Sequence, residues 1–180
     1  MGTKKLFLLR HAQAASSQTG DDKARNLTPQ GKADARALGT EMKRLDLIPD
    51  LILCSPAVRT KQTLEGLKDT LDLENVEHPE ILYNGSTGDY LYQIQQVSDE
   101  YNSILFLAHN PSIYELVILL GGIGNDGVMQ RLSEGYQPAS LSVVDVKSET
   151  WADIQPAVNT LNTIMNPMDY NAPARPTRWM

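Results

Sequence analysis

The sequence predicts an α/β protein, a three-layer α/β/α sandwich built on a mostly parallel sheet. Three observations carry that prediction. Apolar runs of strand length recur at Leu6–Leu9, Leu51–Cys54 and Ile104–Leu107. Each run is apolar throughout instead of alternating, as in strands covered on both faces. Each also leads straight into a polar junction with helix-start residues, the alternation that builds parallel βαβ units.

The elements follow in order. Residues 4–10 read as the first strand and residues 12–27 as a polar loop. Thr28-Pro29 supplies an N-cap and a proline at the first helical position. Leu38, Met42 and Leu45 mark the buried stripe of that helix, which should end near Asp46. The second unit repeats the plan: strand 51–54, Pro56 at the first helical position, and an inner face of Leu64, Leu67 and Leu71. A short strand is expected at 80–83, then a helix from Thr87 to Asp99 on Leu91, Ile94 and Val97. Strand 103–108 leads to Asn110 as cap, Pro111 at the first helical position, and a helix through Leu120 stopped by Gly121-Gly122. Leu141 to Val146 reads as a late strand with a hairpin return near Trp151. The tail from Asn166 contains Pro167, Pro173 and Pro176 and reads as irregular. The expected division is one domain over 1–167 and a proline-containing tail over 168–180.

Bulk properties narrow the function. With 180 residues, 41% of them hydrophobic, the chain suits one domain with a sizeable core. A net charge of −6 offers no general basic face for nucleic acid, so an anionic ligand needs a local positive pocket. One cysteine permits no internal disulfide and favours a reducing compartment. The N-terminal apolar run is too short for a signal peptide, and no other run could cross a bilayer. Leu6 stands where a myristoylation signal needs Ser or Thr. The expectation is a cytoplasmic protein with neither a membrane nor a nucleic-acid partner.

The chemistry gathers where strands meet helices. Arg10-His11 ends the first strand, Arg59 follows the second, and His109 follows the third. A parallel sheet lines such junctions along its carboxyl rim, where open α/β folds keep their ligands. A guanidinium there needs an anionic partner. Arg59 in the first turn of a helix is electrostatically awkward unless an anion binds at that N-terminus. Neighbouring cations and helix N-termini should depress both histidine pKa values and keep His11 neutral, as a nucleophile requires. Two guanidiniums, with His109 donating a further hydrogen bond, suit a phosphoryl group attacked in line by a histidine nitrogen.

Other residues fit less well. Cys54 and Arg59 enclose Ser55 to Val58, one residue short of a cysteine phosphatase loop, and Pro56 removes a backbone donor. His78 reads as exposed, and three scattered histidines make no metal site. Gly121-Gly122-Ile123-Gly124 follows a helix, not a strand, and reads as a helix stop.

Leu9-Arg10-His11-Ala12, Ser55-Pro56-Ala57-Val58-Arg59-Thr60-Lys61-Gln62-Thr63 and Ala108-His109-Asn110-Pro111 together resemble the histidine phosphatase (phosphoglycerate mutase-like) superfamily. Leu27-Thr28-Pro29-Gln30-Gly31 matches a further segment common there. In length and spacing the chain is most similar to the short SixA-type phosphohistidine phosphatase branch, over roughly residues 4–167. Ala12 departs from the superfamily's usual glycine, as the short branch tolerates. The resemblance implies a cofactor-independent hydrolase with His11 as phosphate acceptor and Arg10, Arg59 and His109 as the phosphate pocket. Many members protonate the leaving group with a Glu or Asp; the nearest match is Glu80, a possible general acid or an ordinary surface carboxylate. About twenty residues separate Leu82 from Ser103, too few for a large lid, so a phosphorylated protein can reach the site. The alternatives are a small-molecule phosphomonoesterase and a non-catalytic phosphoprotein-binding module.

Overall fold

The structure, a computed structural model, describes residues 3–171. Six strands form one sheet: β1 (Lys4–Arg10), β2 (Leu51–Cys54), β3 (Val76–Glu77), β4 (Ser103–Ala108), β5 (Leu141–Val146) and β6 (Thr160–Met165). Their order is β3-β2-β4-β1-β5-β6, with β1, β2, β3 and β4 parallel and β5 antiparallel to both its neighbours. The expected α/β class and its mostly parallel sheet are therefore observed.

Side-chain alternation explains why the runs Leu6–Leu9, Leu51–Cys54 and Ile104–Leu107 are apolar throughout. Leu6, Leu8, Leu53, Ile104 and Phe106 face α4 (Thr87–Gln95), α5 (Ser112–Leu120) and α6 (Asp126–Ser133) in one core. Phe7, Leu9, Ile52, Leu105 and Leu107 face α1 (Pro29–Arg44) and α2 (Val58–Lys68) in the other. Successive strand residues enter opposite layers, so neither face can be polar. Helices α1 and α2 approach closely at Gly66, where an added Cβ would lie 2.6 Å from the Cβ of Ala35.

Several expectations need correction. Leu45 is exposed and closes α1, whose buried apolar stripe is Ala35, Leu38 and Met42. Pro56 lies before α2, whose cap residue is Ala57, and Pro111 is the cap residue of α5. Asn110 does not cap α5; its amide donates to the Tyr136 carbonyl. Residues 80–83 form no strand: Ile81–Asn84 is a short helix, α3, and the small edge strand comes earlier, at β3. Helix α4 stops at Gln95, short of Asp99. Helix α6, capped by Asn125, had no counterpart in the sequence reading.

The return strand is β6, well beyond Trp151. Trp151 is instead buried in the connection, its indole N–H donating to the Tyr101 carbonyl at 2.9 Å. The segment after Asn166 is not wholly irregular, because Asn166 and Asp169 form a capping box on α7 (Pro167–Tyr170). That turn runs across the boundary expected at 167; Pro173 and Pro176 lie outside the described residues.

Candidate active site

Strand register builds the site. Arg10 pairs with Ala108, and Cys54 with Leu107, so β1, β4 and β2 end level with one another. The next residues, His11, His109 and Ser55, therefore emerge side by side. The backbone N–H of His11 donates to the Ala108 carbonyl, and that of Ser55 to the Leu107 carbonyl. Both helices that start here, α2 and α5, lack a side-chain cap, whereas α1, α4 and α6 have one. Free first-turn N–H groups at the rim are a ready anion site.

His11 and His109 are both buried, with ring centroids 5.2 Å apart. The Nδ1–H of His11 donates to the Ala12 carbonyl at 2.7 Å, which leaves the lone pair on Nε2. Arg59 Nε donates toward that Nε2 at 3.3 Å. His109 Nε2 lies 2.7 Å from the Ser55 hydroxyl, while its buried Nδ1 has no partner among the described residues. A Ser55 hydroxyl that donates to Nε2 keeps the proton on Nδ1, the tautomer able to donate to an anion.

Burial is the main force lowering both histidine pKa values, His11 to about 4 and His109 to about 3. For His11 the hydrogen bond to the Ala12 carbonyl opposes this lowering, and the nearby cations Arg59, Arg10 and Arg25 reinforce it. The depression expected from cations and helix N-termini thus has desolvation in a closed core as its larger cause. Neutral folded rings carry a consequence for stability. The unfolded rings bind protons near pH 6.5, so each contributes stability that is full above that pH. It is lost as pH falls toward about 4 and 3, where the folded rings protonate too. In a histidine NMR titration, His11 and His109 are expected to stay neutral down to about pH 5. Titration of either ring near 6.5 would show that it is solvated.

Arg10 and Arg59 are held differently. Arg10 Nη1 donates to the Tyr136 carbonyl at 2.8 Å, and its Nε is buried with no partner among the described residues. Arg59 reaches across to the loop after β1. Its Nη1 donates to the Asp22 carbonyl at 2.8 Å and its Nη2 to Asp22 Oδ2 at 3.1 Å. The Tyr83 hydroxyl donates to the same oxygen at 2.8 Å, and Arg25 Nη1 donates to Oδ1 at 3.1 Å. Tyr83 also stands edge-on to His109, centroids 5.8 Å apart. Hydrogen bonds from Tyr83 and Arg25 hold the Asp22 carboxyl down to about 2.

The loop carrying Asp22 is tied at its base. The Thr28 N–H donates to the Gln13 carbonyl, and Gly31 lies so close to that carbonyl that any Cβ would collide with it. This gives the Leu27-Thr28-Pro29-Gln30-Gly31 segment a physical purpose. It seats α1 against the residues that follow His11.

The structure thus brings together four sequence-predicted residues: His11, Arg10, Arg59 and His109. Glu80 is not one of them. Its exposed carboxylate is bonded to Lys23 Nζ at 2.9 Å. Cys54 is buried in the core, and burial pushes its thiol up to about 12, unsuited to a thiolate nucleophile. His78 is exposed, its Nδ1 bonded to the Cys54 carbonyl. Among the described residues no group of His, Cys, Asp and Glu could hold a metal ion, and no helix is long and apolar enough to cross a membrane. Sequence reasoning missed Asp22, Tyr83 and the contact of Ser55 with His109. Charge balance was the available clue to Asp22, since three arginines around one pocket call for a carboxylate nearby.

Rim, neutral imidazole and guanidiniums define a phosphoryl-handling α/β enzyme. Residues 6–102 match the profile of the Histidine phosphatase superfamily (branch 1). The chain belongs to that superfamily, and it is a phosphatase of the hydrolase class. It is 31% identical over 155 residues to an uncharacterized protein of Mycobacterium tuberculosis, covering 85% of this chain and 96% of that one. Among solved structures it is similar to a Nakamurella multipartitia protein assigned as a SixA phosphohistidine phosphatase. The TM-score there is 0.77 at 26% identity, over 93% and 98% of the two chains. It is also similar to the protein histidine phosphatase SixA complexed with tungstate, with TM-score 0.71 and 25% identity over 92% and 98%.

Proposed function

We propose that this phosphatase hydrolyses protein-borne phosphohistidine through a phosphohistidine intermediate on His11. One observation carries the reading: a buried, neutral imidazole with Nδ1–H committed to the Ala12 carbonyl and an unprotonated Nε2 that faces Arg59 Nε–H. The Nε2 lone pair attacks phosphorus in line, forming a P–N bond while the bond to the leaving group breaks. Arg59, Arg10 and the Nδ1–H of His109 take the non-bridging oxygens as charge shifts onto them. Water then attacks phosphorus, the P–N bond to His11 breaks, and phosphate leaves.

The nature of the leaving group selects the substrate. An ester oxygen departs well only when an acid protonates it. Neither Asp22 nor Glu80 serves. Asp22 is ionised at any pH above about 2, and Glu80 is exposed and paired with Lys23. An imidazole leaving group brings its own proton, so phosphohistidine needs no acid from the protein. Between Leu82 and Ser103 the described chain forms only the end of α3, α4 and short turns, which leaves the mouth open to a protein side chain. The similarity to SixA, a protein histidine phosphatase, supports the same substrate.

The test compares a phosphohistidine protein with a panel of phosphate esters. Phosphohistidine and activated aryl phosphates should turn over well, alkyl phosphates slowly. Glu80→Gln should leave phosphohistidine hydrolysis nearly unchanged. A fall of about a hundredfold, the scale of lost general-acid catalysis, would make Glu80 the acid and the protein a small-molecule phosphomonoesterase. No turnover of any of these substrates would make it a phosphoprotein-binding module.

A further inference from the structure

We infer that Asp22 is the positioning residue for Arg59: it holds the far side of the guanidinium so that the Nε side faces His11. The inference rests on Arg59 acting as the phosphoryl clamp. An arginine carries five N–H donors in a fixed plane. Here one hydrogen of Nη1 and one of Nη2 go to a single residue, Asp22, through its carbonyl and its carboxylate. Nε donates toward His11 Nε2. The remaining hydrogen of Nη2, on the same edge of the plane as Nε–H, is left for an oxyanion arriving at His11.

Asp22 is itself braced. Tyr83 donates to Oδ2, Arg25 donates to Oδ1, and the Asp21 side chain accepts from the Lys23 N–H, fixing the turn Asp22–Ala24. These contacts join three separate segments: the turn, the start of α2 and the end of α3. The arginine is buried, with a side-chain exposure of 7% against 52% for Asp22. A carboxylate at the surface therefore fixes a guanidinium beneath it. Arg59 has several rotatable bonds between helix and fork, and loosening its anchor lets the fork depart from the geometry that in-line transfer requires.

A double-mutant cycle on an activated aryl phosphate, chosen so that slow variants remain measurable, tests this. Asp22→Asn keeps an acceptor of similar shape but removes the charge; Asp22→Ala removes both. Each is expected to lower kcat by about tenfold or more, with the larger loss for alanine. In an Arg59→Ala background the same Asp22 changes should have almost no effect, because their only route to the chemistry is gone. The Arg59 Nε–H resonance should be protected from exchange in the wild type and should lose that protection in Asp22→Ala whatever the activity. Equal losses in both backgrounds would overturn the inference, as a merely structural role predicts. So would a rise in kcat for Asp22→Ala, the mark of a carboxylate that masks Arg59. Unchanged turnover by Arg59→Ala alone would instead remove the clamp reading itself, and this inference with it.

Discussion

His11→Ala is expected to lower kcat by on the order of 10³-fold or more, the scale seen when a nucleophile is deleted. The size follows from the site's design. His11 supplies the atom that forms a bond to phosphorus, and among the described residues no other neutral nucleophile is hydrogen-bonded to Arg59 Nε. Cys54 is a buried thiol held far above neutral pH, and His109 Nε2 is engaged by Ser55. The loss should therefore fall on kcat, with KM changing less, because Arg10, Arg59 and His109 still bind phosphate. Two measurements separate this from unfolding. Circular dichroism should give wild-type content of helix and strand, since His11 stands at the end of β1 and outside the two large cores. Phosphorus NMR of enzyme quenched without acid should show an N-linked phosphoryl group on the wild type and none on the variant. Undiminished turnover by His11→Ala would sink the proposed mechanism.

How much of this was legible in the sequence depends on what each residue answers to. β1, β2 and β4 were readable because a strand covered on both faces carries a continuous apolar run, β5 because Leu141, Val143, Val144 and Val146 stand out around Ser142 and Asp145, and the bounds of all four came out as expected. His11, Arg10, Arg59 and His109 were readable because polar groups ending such strands are costly unless they bind something. The misses share a cause as well. Ile81–Asn84 carries β-favouring residues, yet it folds as a helical turn because Leu82 must enter the core and Tyr90 must reach its carbonyl. β6 was invisible because Asn162 and Thr163 break its apolar pattern at an outer position where only one neighbour pairs with it. Asp22 and Tyr83 lie on a loop and a helix end whose meeting depends on the whole sheet. Local spacing holds no record of a contact between positions 61 residues apart.

Arg59→Lys is the second large effect, and its size distinguishes geometry from charge. Lysine keeps the positive charge, so long-range attraction of a phosphate dianion into the site survives. It cannot keep the fork. Arg59 meets His11 Nε2, the Asp22 carbonyl and Asp22 Oδ2 with three different nitrogens in one plane. A single ammonium can stand at one of these points, and the ionised Asp22 carboxylate is the strongest attractor among them. A lysine is therefore expected to pair with Asp22 and withdraw from phosphorus. Loss of one fixed donor to the transition state costs on the order of 10²-fold in kcat, and Arg59→Lys should approach Arg59→Ala in that respect. KM should rise less for lysine than for alanine, because charge still draws the substrate in. Steady-state kinetics on the same aryl phosphate decides the matter. A lysine variant within about threefold of wild type would mean that a point charge suffices and the bidentate geometry is unnecessary.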